Sequence, residues 1–253
     1  MVMYGKGLRP LSLLTALVLG GGVALALFVA PIDADQGFRQ KIFYIHVPLA
    51  IVAMGGFIAG GVAGIMYLRT ENAKWDLRSY TWIHHALIMA LGALITGSIW
   101  AKTSWGQWWV WDEPTLVSFL IVFLLYCTYQ PLRFSIEDRD KQARYAAVFA
   151  ITAGAFVPLN FMAVRMAQSL SHPRVFATSD GGLPMSMQIP FYVMLTGMVL
   201  FFVTLTKFEM ASKNARGNLR ALRRQLGGEE GPARRSAAPS LPTTAPTPTG
   251  PAS

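Results

Sequence analysis

The chain has 253 residues, 53% of them apolar and only 14% charged, with a mean hydropathy of +0.40. Soluble domains carry about 25% charged residues, so a water-soluble globular enzyme is excluded. The single cysteine, Cys127, excludes a disulfide framework, a C-x-x-C thiol relay and a C-x-x-C-H cofactor-attachment site. The formal charge of +9 resembles that of a nucleic-acid binder until the charges are placed along the chain.

Six apolar segments follow one another, near Leu11–Ala30, Tyr44–Leu68, Thr81–Ala101, Leu116–Leu132, Tyr145–Gln168 and Gln188–Thr206. Each approaches or exceeds the roughly 17–25 residues of a bilayer-spanning helix. Short polar turns separate them, which favours helices over barrel strands. The fold expected is all-α, a polytopic membrane protein with six transmembrane helices. The apolar core of the first segment exceeds the 7–15 residues typical of a signal peptide, so it is read as a retained anchor. From about residue 211 the chain turns basic, then Pro-, Ala- and Thr-rich, as in APSLPTTAPTPTGPAS. Residues 1–210 are therefore read as the membrane domain and 211–253 as a basic, then disordered tail.

With the N-terminus inside, seventeen of the 22 Lys and Arg residues fall on the inner side and five outside: Arg39, Lys41, Lys102, Arg165 and Arg174. That bias places both termini in the cytoplasm. The positive charge thus records topology and contact with anionic lipid, and a nucleic-acid partner is set aside. No G-x-x-x-x-G-K-[ST] loop is present, so ATP hydrolysis by that route is absent.

The outer connection between the third and fourth segments, about residues 102–113, is rich in tryptophan. Five of the seven tryptophans lie between Trp100 and Trp111. An aromatic belt at the membrane interface accounts for one or two of them. Five in one short stretch describe a platform for a large, flat, mostly apolar ligand. Gly106 permits a tight turn and close backbone approach. Asp112 is read as the N-cap of the fourth helix and as a residue that shapes the loop.

Of four histidines, His84 and His85 fall at the inner end of the third helix and are read as interfacial polar residues. His46, in Tyr44-Ile45-His46-Val47-Pro48, and His172, in Ser171-His172-Pro173, fall on the same outer side as the tryptophans. Two imidazoles without a cysteine pair suit the axial positions of a haem iron whose macrocycle stacks on indoles. A zinc site would need further ligands at that depth, and Asp112 is the one ready candidate. Arg165, in the outer third of the fifth helix, is a candidate partner for the haem propionates.

The run Trp105-Gly106-Gln107-Trp108-Trp109-Val110-Trp111-Asp112 resembles the tryptophan-rich WWD motif of haem-handling proteins in cytochrome c assembly. With six helices, the Tyr-Ile-His-Val-Pro run and an outer His172, residues 11–210 are most similar to the haem exporter protein C (CcmC) family. The resemblance implies that His46 and His172 are axial ligands of a transiently held, non-covalent b-type haem. It implies that Trp105, Gly106, Trp108, Trp109, Trp111 and Asp112 form the holding surface. The implied partners are a membrane-anchored extracytoplasmic haem chaperone and the ABC transporter subunits of the maturation system, and the implied place is the bacterial inner membrane. Two other functions remain open: a haem lyase acting directly on apocytochrome c, and a b-type electron-transfer cytochrome.

Overall fold

A computed structural model describes residues 7–166, 172 and 183–227. The Arg165 side chain, Arg174 and the tail beyond Gly227 lie outside the described residues. Among the described residues there are seven α-helices and no strand: α1 (Leu8–Ala24), α2 (Phe43–Thr70), α3 (Ala73–Trp105), α4 (Pro114–Cys127), α5 (Tyr129–Phe134), α6 (Arg139–Met166) and α7 (Met185–Gly227). Among the described residues, six stretches are long and apolar enough to cross a bilayer: Leu8–Val29, Phe38–Thr70, Ala73–Trp105, Pro114–Phe134, Arg139–Met162 and Met185–Leu226. The protein is an all-α polytopic membrane protein, as its composition requires.

Three boundaries differ from the sequence reading, each for a local reason. The fourth span is split at Thr128 into α4 and α5. Pro131 has no N–H to donate to the Cys127 carbonyl, and its ring crowds that carbonyl, which favours a break there. The third helix runs four residues beyond Ala101, which makes Lys102, Thr103, Ser104 and Trp105 helical instead of part of the loop. Gly106, with φ of +76°, ends it, and its N–H donates to the Lys102 carbonyl at 3.1 Å. The last helix continues well past Thr206, because the residues after Lys207 are rich in Ala, Leu, Arg and Lys, all good helix formers. The chain separates into two compact units, Met1–Ala211 and Ser212–Ser253; the first carries all the side-chain clusters described below.

Helices α2 and α3 form an antiparallel hairpin across a two-residue turn. Glu71 takes the left-handed conformation, with φ of 50°, and Asn72 caps α3 by accepting the Lys74 N–H at 3.0 Å. Small residues then let the helices approach. A Cβ on Gly60 would stand 2.5 Å from Ile83, and one on Gly56 would stand 2.9 Å from Ala86. On the other face of α2, a Cβ on Gly61 would lie 2.9 Å from the Ala150 carbonyl of α6. Lipid tails are as apolar as leucine, so this close backbone packing, not burial of apolar area, is what drives the helices together. Around the seam lies the main core, with Phe57 stacked on Tyr126 at 3.8 Å between centroids.

At the hairpin turn's end of the bundle, Arg133 donates twice to the Asp76 carboxylate, both bonds at 2.6 Å, tying α5 to α3. Such bidentate pairs are the stronger class of ionic hydrogen bond. Asp138 there accepts the N–H groups of Lys141 and Asp140, which holds its carboxyl below the usual carboxylate range. At the other end, the residues between α1 and α2 fold onto the end of α3, and here the tryptophans gather.

The seam makes a direct prediction. Gly61→Val must push against main chain, so it should cost about 1–3 kcal/mol, read as a lower Tm of the detergent-solubilised protein. Gly55→Ala, on the same helix with nothing within 4 Å of the added carbon, should leave Tm unchanged.

Candidate functional site: an apolar cavity walled by tryptophan and two histidines

A cavity of about 530 Å³ opens at the tryptophan end, within the usual range for ligand pockets. Helices α2, α3, α4 and α6 contribute to its wall, which is mostly aliphatic and aromatic. From α3 come Ala93, Gly97, Trp100, Ala101 and Ser104. Their spacing is that of a single helical face. Trp105 and Trp109 complete the indole wall, and His46 and His172 both line the same space.

The two histidines arrive from residues far apart in sequence. His46 sits in the second turn of α2, and its ring packs against Gly97 of α3, where a Cβ would come within 2.8 Å of Cε1. Its Nδ1 lies 3.0 Å from the Ala93 carbonyl and 3.1 Å from the Thr96 hydroxyl. A carbonyl only accepts, so Nδ1 carries the proton and donates to Ala93. Nε2 is then the nitrogen with the coordinating lone pair. Metal-binding imidazoles commonly hand their other N–H to a carbonyl in this way, which fixes tautomer and ring plane. The Trp100 indole meets the His46 ring edge-on at 5.8 Å and donates its own N–H to Gln36 Oε1 at 2.8 Å.

His172 is positioned by an acid that the sequence reading passed over. Glu113 is fully buried, and its Oε2 accepts the His172 main-chain N–H at 3.2 Å. Glu113 is also the N-cap residue of α4, with Pro114 as the first helical residue. A carboxylate removed from water is costly; the positive end of the α4 dipole and the donated N–H offset that cost.

The expectation that Asp112 caps α4 is therefore corrected. It is exposed in the turn before α4, does not line the cavity, and is not the N-cap; that position belongs to Glu113. Both are acids just before Pro114, and a one-residue shift exchanges inside for outside. The tryptophan platform is likewise divided. Trp105 and Trp109 face the cavity, whereas Trp108 and Trp111 are 60% and 71% exposed on the rim. Trp109 meets Trp111 edge-on at 6.1 Å, and Lys102 Nζ stands 6.0 Å over the Trp108 ring. Gly106 shapes the turn, and its carbonyl accepts from Lys102 Nζ at 2.8 Å; it too stays outside the cavity wall.

Gln36 and Arg39 were not among the expected site residues, and Trp100 was expected only as one of the five tryptophans of the platform. Arg39 also lines the cavity and is anchored to the Gln36 carbonyl through Nε at 3.1 Å and to the Thr103 carbonyl through Nη1. Read as a helical face, the spacing of Ala93, Gly97 and Trp100 would have pointed to Trp100.

The wall suits a flat macrocycle. It is apolar, broad and aromatic, and among the described residues it presents two imidazoles and the Arg39 guanidinium. Several buried polar atoms on it, the Trp109 indole N–H and the Ser104 and Thr115 hydroxyls, have no hydrogen-bond partner among the described residues. Buried donors without partners are rare in finished structures, and a ligand with polar edges would satisfy them.

These features define a membrane protein built around a ligand cavity at one end of its helices. The family profile for CcmC, heme exporter protein C, matches residues 1–225. The chain is 32% identical over 197 residues to heme exporter protein C of Paracoccus denitrificans, covering 77% of this chain and 81% of that one. It is 29% identical to the Haemophilus influenzae protein of that name, covering 79% and 81%, and 31% identical to the Bradyrhizobium diazoefficiens protein, covering 77% and 74%. The chain belongs to the heme exporter protein C family.

Gly97 offers a test of how the His46 ring is held. Gly97→Ala should displace the imidazole and weaken coordination of haemin added to the purified protein by about tenfold, on the scale of losing an outer-shell partner. Optical titration measures it, with Gly55→Ala as the matched control.

Proposed function

We propose that the protein binds haem at the tryptophan end of its bundle, on the extracytoplasmic face, and passes it to a membrane-anchored haem chaperone for c-type cytochrome biogenesis. The observation that carries this reading is the convergence of His46 and His172 on one apolar cavity walled by Trp100, Trp105 and Trp109. Membership of a family whose relatives bear the name heme exporter protein C supports it. The excess of Lys and Arg at the opposite end supports the outward orientation of the cavity, and so a location in a bacterial inner membrane with both termini in the cytoplasm.

In this reading haem is cargo held without a covalent bond, since the one cysteine lies on α4 and no C-x-x-C-H is present. His46 and His172 supply the axial nitrogens, and the indoles hold the macrocycle by stacking. Arg39, at the mouth, and Arg165 are the cations for the propionates. No hydrolytic chemistry is needed. Transfer is an exchange of iron ligands: an acceptor offers the metal a new ligand while the exposed rim tryptophans Trp108 and Trp111 meet its surface. The ABC transporter subunits of the maturation system act on the loaded chaperone, and the remaining apolar faces of the bundle meet lipid.

Two experiments test the reading. Purified wild type should show the low-spin spectrum of a bis-imidazole haem, and His46→Ala with His172→Ala should remove most of the haem and that spectrum. An unchanged haem content in the double variant would falsify the ligand assignment. Trp108→Ala with Trp111→Ala, which leaves the cavity wall intact, should keep haem in place yet reduce its transfer to the co-expressed chaperone, measured by haem staining of the captured complex. Transfer at the wild-type level would remove the rim from the handover.

A further inference from the structure

The end of the bundle opposite the tryptophans carries a second histidine cluster, which the cavity does not use. His84 and His85 are consecutive on α3, and Glu209 reaches them from α7. Glu209 Oε2 lies 3.0 Å from His84 Nδ1 and 3.5 Å from His85 Nε2. One ligand atom from each of the three residues lies within 4.8 Å of the others. His85 is buried, whereas 35% of the His84 side chain is exposed, which leaves a route for an ion.

The hydrogen bonding of His85 says what kind of species belongs between these groups. Its Nδ1 lies 2.9 Å from the Thr81 carbonyl, so Nδ1 is the protonated nitrogen. In the neutral ring, Nε2 then turns a lone pair toward a carboxylate oxygen that also offers only lone pairs. Two acceptors facing each other at 3.5 Å call for a cation between them. The spacing fits a metal ion: with Zn–N and Zn–O bonds of about 2.0–2.1 Å, neighbouring ligands of a tetrahedral site stand about 3.3 Å apart. His85 also shows the carbonyl-bound second nitrogen that metal-ligating imidazoles use.

We propose that His84, His85 and Glu209 form a binding site for a divalent transition cation of the Zn²⁺ class, joining α3 to α7, with a further position open to water. The donor set excludes Mg²⁺ and Ca²⁺, which take oxygen ligands, and fits the borderline metals that accept imidazole. The inference is independent of the haem reading, because it concerns the other end of the bundle and a different readout.

The test uses untagged full-length protein in detergent, stripped with a chelator and titrated with Co²⁺, whose visible bands report imidazole coordination. The His46→Ala/His172→Ala variant is titrated as well, because it lacks the imidazoles of the cavity. It should still take up one equivalent of Co²⁺, displaceable by Zn²⁺. Adding Glu209→Gln, or His84→Ala at the more exposed position, should weaken binding by more than the ~10–100-fold seen for outer-shell partners. Thermal melting without metal confirms that each variant is folded. The proposal is overturned if the His46→Ala/His172→Ala protein binds no Co²⁺, or if Glu209→Gln and His84→Ala bind it as tightly as their parent. An imidazolium resonance from His85 in the metal-saturated sample would also overturn it, by making the bridging cation a proton.

Discussion

The register of the α2–α3 hairpin is the constraint on which the remaining geometry depends. A two-residue turn at Glu71 and Asn72 joins the helices, and from there the contacts pair off along the seam. Gly60 meets Ile83, Gly56 meets Ala86, Gly92 meets Leu49, and Gly97 meets His46. In every pair a small residue on one helix receives a larger one from the other. In a bilayer, where apolar area gives little net attraction between helices, this close fit sets the register. The last pair in the series is the His46 imidazole seated on Gly97. A slip of one helical turn, about 5.4 Å, would carry His46 past the Ala93 carbonyl and out of the cavity. His46 is therefore placed by contacts that begin some 25 residues away, at the opposite end of the bundle.

The second histidine reaches the cavity by other means. His172 lies outside the described helices. Its main-chain amide is taken up by Glu113, a residue at the start of α4. One imidazole thus belongs to the α2–α3 hairpin, and the other to a residue whose main-chain amide meets a carboxylate at the start of α4. The wall and rim tryptophans repeat the division on a smaller scale, with Trp105 and Trp109 against the cavity and Trp108 and Trp111 outward.

The six spans and the pairing of His46, His172 and the tryptophans on one side were legible in the sequence, because hydropathy and short turns fix which ends of the helices share a side. What could not be read was the facing of individual residues within the tryptophan stretch. Four more residues of helix rotate Trp105 by about a full turn relative to an extended loop, and the loop beyond Gly106 has no periodicity from which to assign an inside. Asp112 and Glu113 differ by one position, and both satisfy the general rule that acids favour a helix start. Only the packing, which fully buries Glu113 and leaves Asp112 exposed, separates them. The long reach of α7 was missed for a different reason: a polar helix leaves no hydropathy trace, although its residues favour the helix strongly.

The two acids now stand out as a pair, one at each end. Glu113 directs a carboxylate oxygen to a main-chain amide of the histidine segment, whereas Glu209 directs one to ring nitrogens of His84 and His85. The difference decides what each histidine group is suited to hold. A carboxylate set against the ring nitrogens adds a full negative charge to the donor set and favours a small, highly charged cation, since the attraction rises as charge is concentrated and water excluded. A carboxylate directed at the main chain positions its histidine without turning that oxygen to the ring nitrogens. A large ligand that already carries anionic groups is then free to approach the tryptophan end, where Arg39 stands at the mouth. The same two residue types, His and Glu, thus serve opposite ends of one bundle, separated in function by which atom of the histidine meets the acid.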